Sequence, residues 1–439
     1  MLSHETLNNA LNYFLKSGYD SLLSAKNEPH LSWTLEKGGY TPNYKERLNR
    51  QSLPANFKET GAFLITWRKY VNVNSRLGHN VSIFEVPKTE TIDIDSEHDW
   101  WIAEKEINKQ YIVFRVDGNR YIGLGHIYRL LLLAYNLIDH DFKFVLSKNS
   151  VLGIEKIKDS FFDYEVIENN DQFISLMYDE KPDVIINDIL DTDEHYIQKL
   201  RNVGARIVNF EDLGTGAQYA DAVINDLYEK KNDLPNHYWG SKYYCLRDQF
   251  FLAVPTQFNE KVNNVLILFG GTDPSNLTEK VLLAVLDSDN LKHTKFTFVL
   301  GMGYENINLL KKCVPEDNTN IKIYQNVSDM PSMMEKADVA ISSQGRTIYE
   351  LAHMKVPAIL MAQNERELKH NFGYLQNGFI NLGIGSKVDK QTITQTLTWL
   401  IETPQIRRQM RSKMAESNFK NGVNRVKNII LGGSSYEWK

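Results

Sequence analysis

Two stretches of this chain repeat one local pattern, and that repetition limits the fold more than any other feature. In the first, an apolar run at 111–116 leads into a loop holding Gly123 and Gly125, then His126 and an apolar helix at 127–137. In the second, the run at 265–269 leads into Gly270, Gly271 and Thr272, with a helix expected over 276–286. Glycine permits the tight turn such a loop needs, and it lets a ligand approach the backbone closely. The helix that follows presents unpaired N–H groups and the positive end of its dipole.

Strands and helices then alternate behind each unit. Further strands are expected at 142–146, 184–187, 206–210 and 222–225 in the first block, and at 295–300, 321–325, 339–342 and 358–361 in the second. Such alternation means a parallel sheet wound by helices. The fold class is therefore α/β, with two Rossmann-like parallel-sheet domains at 110–257 and 262–432. A linker carrying Pro255 lies between them. Residues 1–107 form a separate mixed block with helices at 5–16 and 97–107, strands at 21–25, 61–66 and 81–86, and a loop-rich middle. Two tandem sheets of this kind hold ligands in the cleft between them, at the carboxyl ends of the strands.

Candidate site residues follow from that geometry. His126 at a helix start is placed to move protons near neutral pH. Asp188 and Asp212 end buried strands. From there they either orient His126 and bind sugar hydroxyls, or form turns and cap helices. Gly270, Gly271 and Thr272 can face a phosphate; a turn capped by Asp273 or Asn276 is the plain alternative. Gly345, Arg346 and Thr347 precede a helix and suit a diphosphate. Glu350 is a ribose ligand or the partner of Thr347 in a capping box. Asn364 lies in a polar, charged loop after a buried strand.

The net charge of −5, with basic residues scattered, excludes a broad nucleic-acid surface. No apolar run of ~18 residues is present, so no membrane span is expected. The two cysteines, Cys245 and Cys313, are far apart and form neither a disulfide framework nor a thiolate metal site, as in a reducing cytoplasm.

Together, residues 110–430 resemble the family that contains the UDP-sugar hydrolase of pseudaminic acid biosynthesis and related spore-coat polysaccharide proteins, which have a glycosyltransferase-B-like fold. The matching residues are Arg115-x-Asp117, Gly123-x-Gly125-His126-x-x-Arg129, Asp212-Leu213, Leu246-Arg247-x-x-Phe250, Phe269 to Pro274, and Gly345-x-Thr347-x-x-Glu350. The resemblance implies hydrolysis of a UDP-linked 2,4-diacetamido-trideoxyhexose. His126 would act on the attacking water and Asp117 would contact water or sugar. Arg115, Gly123, Gly125, Arg129, Asp188 and Asp212 would line the sugar end. Gly270, Gly271, Thr272, Gly345, Arg346, Thr347, Glu350 and Asn364 would hold UDP. It implies no metal for this part, with helix ends and Arg346 offsetting the diphosphate. The chain departs from the pattern at Glu211, where an Asp is usual, at Arg346, where a small residue is common, and at Glu365, where Gln often follows the Asn. The alternatives are a glycosyltransferase using a UDP-sugar and a non-catalytic nucleotide-sugar-binding module.

The first block carries other motifs: Asp20-Ser21, Arg47-x-x-Arg50-Gln51-x-Leu53-Pro54, and Asp93-Ile94-Asp95-Ser96. These resemble the later half of an acylneuraminate cytidylyltransferase, that is, a partial α/β nucleotidyltransferase domain. Arg50 and Gln51 would contact the sugar acid, and Asp93 and Asp95, alternating on a strand, would hold Mg2+. The family's nucleotide loop precedes these motifs, so CMP-acylneuraminate synthesis is expected only if that half is supplied. Such enzymes often dimerise, which makes a homodimer an expectation. A chain joining both families fits a cytoplasmic enzyme of nonulosonic acid biosynthesis.

Overall fold

The computed structural model describes residues 2–36 and 38–433. The chain divides into two compact units, 1–109 and 110–439.

In the front unit, the helix His4–Ser17 is capped by the Ser3 hydroxyl, which accepts from the Thr6 N–H. Its buried face carries Ala10 and Phe14, which pack with Leu22, Phe63, Ile65 and Phe84. Beneath it lies a three-stranded sheet with Ser21–Asn27 at its centre, antiparallel to Phe57–Thr66 and parallel to Val81–Glu85. The loop-rich middle contains one hairpin, Trp33–Glu36 with Gly39–Pro42, exposed on both strands. Asp93 and Asp95 lie outside any strand, in the exposed approach to the helix Glu97–Ile107. Ser96 and Asp99 close a capping box there, so the acidic segment is a helix entry. The alternation along an extended strand on which the Mg2+ expectation rests is not present. Among the described residues no group of three or more His, Cys, Asp or Glu converges to hold a metal. Arg50 and Gln51 start a short 3-10 turn with no buried residue.

The rear unit holds two sheets, every pairing parallel. Across the first, seven strands run in the order His237–Trp239, Ala222–Asn225, Arg206–Phe210, Val184–Asp188, Tyr111–Val116, Asp141–Ser147, Tyr164–Ile167. Across the second, six run Ile321–Gln325, Lys295–Leu300, Asn264–Leu268, Val339–Ser342, Ala358–Ala362, Phe379–Ile384. The central strands are buried along their length, as expected where helices cover both faces. The strands Tyr164–Ile167, His237–Trp239 and Phe379–Ile384 lie beyond those expected. All three are sheet edges and carry mixed burial instead of a continuous apolar run.

In each sheet the chain's first strand lies between neighbours reached in opposite directions, which creates a topological switch point. In the first sheet it falls between Tyr111–Val116 and Val184–Asp188, with Val116 opposite Asp188. In the second it falls between Asn264–Leu268 and Val339–Ser342, with Leu268 opposite Ser342. The loops leaving these four strand ends form the cleft.

One element crosses back. The helix Gly422–Ile430 lies within the range assigned by sequence to the second domain, yet Val423, Val426, Ile429 and Ile430 pack in the core of the first sheet. No helix of the described residues is long and apolar enough to cross a membrane.

Candidate functional site

The cleft between the two sheets has about 410 Å³ of internal volume, within the range of small-ligand sites. The first sheet contributes the loop 121–125, His126, Arg129 and Glu211; the second contributes Gly270 to Thr272, Gly345 to Thr347, Glu350, Asn364 and Glu367.

His126 opens the first full turn of the helix Gly125–Asn136, whose first turn no side chain caps. Its Nδ1 lies 2.5 Å from Asp188 Oδ1. Asp188 is fully buried at the end of the neighbouring strand, and burial alone would favour its neutral form. Arg129 and His126 reverse that, so its carboxyl is held below the ordinary range. Against an ionised acceptor Nδ1 serves as the donor, and Arg129 Nη2 lies 3.1 Å from the same nitrogen.

Arg129 holds this arrangement from beneath. It sits one helical turn after His126, so both side chains share a face. Its guanidinium donates to both oxygens of Asp188 at 2.7 and 2.6 Å, to Glu211 Oε1 at 2.5 Å and to Asp226 at 3.4 Å, with Phe210 against its face. From the second sheet, Arg346 donates to Glu211 at 2.9 Å and to Asp226 Oδ2 at 2.9 Å, stacked on Tyr244. The cluster thus has three carboxylates against two guanidinium groups. The same cations hold Glu211 far below the usual carboxylate range despite its burial.

The second wall is built mainly of backbone. Gly270 has φ 79° and directs the turn, while Gly271 packs closely against Leu124 from the first domain. A Cβ at Gly301 would lie 2.2 Å from the Gly271 carbonyl, so neighbouring glycines shape this turn from both sides. Asp273 accepts from the Leu277 and Thr278 N–H groups at 2.9 and 2.8 Å, the capping role that was the plain alternative for this loop. Glu350 is held by Arg247 Nε at 2.7 Å; no capping box with Thr347 forms. The Asn364 side chain accepts from the Arg366 and Glu367 N–H groups and closes its own turn.

Four residues assigned to the sugar end, Arg115, Asp117, Asp188 and Asp212, do not line the cleft. Asp117 accepts from Arg115 at 2.8 Å and from the Ser147 N–H at 2.8 Å; this pair braces the loop behind the cleft and neither residue lines it. Asp212 accepts from the Thr192 hydroxyl at 2.6 Å, from Asn209 at 2.7 Å and from two backbone N–H groups, so it forms a turn. Arg346 is paired with carboxylates in this state instead of facing the cleft as an unpaired cation. Asp226 was not singled out by sequence, and Arg366 and Glu367 only as members of the charged loop around Asn364. Asp226 had a usable signal, since it follows a buried strand just as Asp188 ends one.

Residues 265–426 match the family described as the glycosyltransferase family 28 C-terminal domain. An uncharacterized protein of Methanocaldococcus jannaschii, MJ1062, is 32% identical over 285 residues, 60% of this chain and 58% of that protein; the chain thus spans little over half the length of this relative. The UDP-2,4-diacetamido-2,4,6-trideoxy-beta-L-altropyranose hydrolase of Campylobacter jejuni is 25% identical over 267 residues, 58% of this chain and 93% of that enzyme. Among solved structures, MurG of Acinetobacter baumannii matches with a TM-score of 0.54 at 15% identity, over 74% of this chain and 99% of that one. The rear unit therefore has a glycosyltransferase-B-like fold.

Proposed function

We propose that the rear unit hydrolyses a UDP-linked sugar of the 2,4-diacetamido-trideoxyhexose class, giving UDP and the free sugar. The observation that carries this is the His126–Asp188 pair, oriented from a buried strand end and facing the cleft at the switch point of its sheet. Water attacks the anomeric carbon while Nε2 of His126 takes its proton. The bond from that carbon to the diphosphate oxygen breaks, and UDP leaves with the electron pair. The Gly270–Thr272 and Gly345–Thr347 turns are the proposed diphosphate cradle, with Glu350 at the ribose. The likeness to the Campylobacter jejuni hydrolase supports the reaction type. The match to a glycosyltransferase family 28 domain favours a second reading, transfer of the sugar to an acceptor on the same scaffold.

For the front unit, the cytidylyltransferase reading rests on its sequence motifs; retention of CTP or a sugar acid by the purified chain would support it. A nonulosonic acid pathway and a homodimer are part of the same proposal.

The direct test follows UDP release from UDP-2,4-diacetamido-2,4,6-trideoxy-altrose. Wild type is expected to release UDP without an acceptor, and His126→Ala to lose about 10²–10⁴-fold in turnover, the usual worth of a positioned base. Release that requires an added acceptor would replace hydrolysis by transfer. UDP bound without turnover of any sugar would leave a binding module.

A further inference from the structure

Glu367 has no part in the reaction as described, yet it is a carboxyl in the wall opposite His126. It follows the central strand Ala358–Ala362, at the start of a short turn. Its Oε2 accepts from the Gln363 N–H at 2.8 Å, and the Gln344 N–H also bonds the carboxyl. Gln363 and Gln344 both lie just beyond the ends of adjacent strands, so two backbone donors fix this group at the cleft floor. Its Oε1 is 3.3 Å from where a Cβ of Gly345 would stand. That places the acid directly beside the Gly345–Thr347 turn.

A carboxylate next to a bound diphosphate would be repelled; a carboxylic acid would donate a hydrogen bond to it. The surroundings favour the acid. Burial pushes the Glu367 carboxyl up to about 7, against the two backbone N–H groups that favour its charge. Asp273, facing it from the loop before Leu277, pushes the same way. On its own segment, Arg366 is turned to Asp191 at 2.8 Å. His370 donates to the Gln344 carbonyl at 2.7 Å, and burial holds its imidazole below its ordinary range.

We propose that Glu367 is the proton donor to the diphosphate: it binds UDP as the neutral acid and gives its proton to the leaving UDP oxygen when the anomeric bond breaks. This rests on the hydrolase reading for the second half only. His126 gains the water's proton, Glu367 loses its own to UDP, and both return to their starting states by exchange with solvent.

The test is a titration of the full chain with UDP at pH 8, by calorimetry in two buffers of different ionisation heat. A diphosphate beside Glu367 raises its pKa further, so wild type is expected to take up about one proton more than Glu367→Gln on binding. The amide keeps the shape and a donor, and an unchanged or higher Tm at pH 8 checks its fold; Glu367→Ala repeats the count with the group removed. Equal proton uptake in wild type and both variants overturns the proposal, as does failure of UDP to bind. With the UDP-sugar, Glu367→Gln is expected to lose about 10²-fold or more in turnover, and the fall in wild-type activity above neutral pH should disappear from its profile. If wild type binds UDP but hydrolyses nothing, the hydrolase reading fails while the proton count still decides Glu367. If wild type hydrolyses and the counts are equal, Glu367 alone is wrong.

Discussion

The two walls of the cleft work by different means. The first-sheet wall is made of titratable side chains buried against one another: His126, Asp188, Arg129, Glu211 and Asp226. The second-sheet wall is made mainly of glycine turns and backbone groups, with Arg346 as its contribution to the charged cluster and Glu350 and Glu367 as its carboxyl groups. Side chains with perturbed ionisation can move protons but are costly to bury. Backbone turns carry no charge to bury and suit a constant group such as a diphosphate. The division teaches that the reacting end and the anchoring end of a ligand should fail separately when the walls are altered.

The largest expected effect is on the charged wall. Arg129→Met leaves Asp188, Glu211 and Asp226 without their shared cation and should cost about 3–5 kcal/mol of stability, along with turnover. The pH dependence should change sign as well. In wild type, Asp188 and Glu211 are held below their ordinary values of 3.8 and 4.5. Their contribution is therefore complete above those values and lost as pH falls through the folded ones. Without Arg129, buried carboxylates would prefer their protons, so the variant should gain stability on acidification from pH 7 to pH 5 where wild type does not. A variant whose Tm follows the wild-type pH course would mean that the cluster is not held by Arg129.

The backbone wall should respond to Gly301→Ala. The added methyl meets main chain, not a flexible side chain, so the turn at Gly271 must shift, at a cost of about 1–3 kcal/mol. UDP affinity is expected to fall about tenfold, while proton-linked behaviour of the first wall is retained. Calorimetric titration checks this, and wild-type affinity in the variant would remove the turn from the nucleotide site.

The contrast between the walls also explains what the sequence made readable. Glycine turns behind apolar strands are local, so the loops at Gly123–Gly125 and Gly270–Gly271 and the strands behind them stood out. His126 was legible for the same reason, and Asp188 from its position at the end of a buried strand. The charged wall is assembled across the chain: Arg346 meets Asp226 and Glu211 over separations of 120 and 135 residues, which no local pattern records. Its pairing turned an expected phosphate cation into a link between domains. Asp212 went the other way, because short acidic side chains at strand ends cap turns as readily as they face a cleft. The crossing of the last helix was hidden for a simpler reason: an amphipathic stripe shows that a helix packs, not on which sheet.

The smallest expected effect tests the edge of the first wall. Asp117 was placed at the reacting centre by resemblance, but its carboxylate is spent on Arg115 and on the Ser147 N–H, behind the cleft. Asp117→Asn weakens a charge-assisted bond and should lower stability by about 1.5–3 kcal/mol. Turnover measured well below the variant's Tm should stay within about threefold of wild type, because no atom facing the ligand changes, and each tenfold would require about 1.4 kcal/mol of lost transition-state interaction. A hundredfold loss of turnover with an unchanged Tm would reverse the assignment. Asp117 would then have to swing from Arg115 into the cleft when ligand binds, and the first wall would be a mobile loop, not the rigid cluster seen around Arg129.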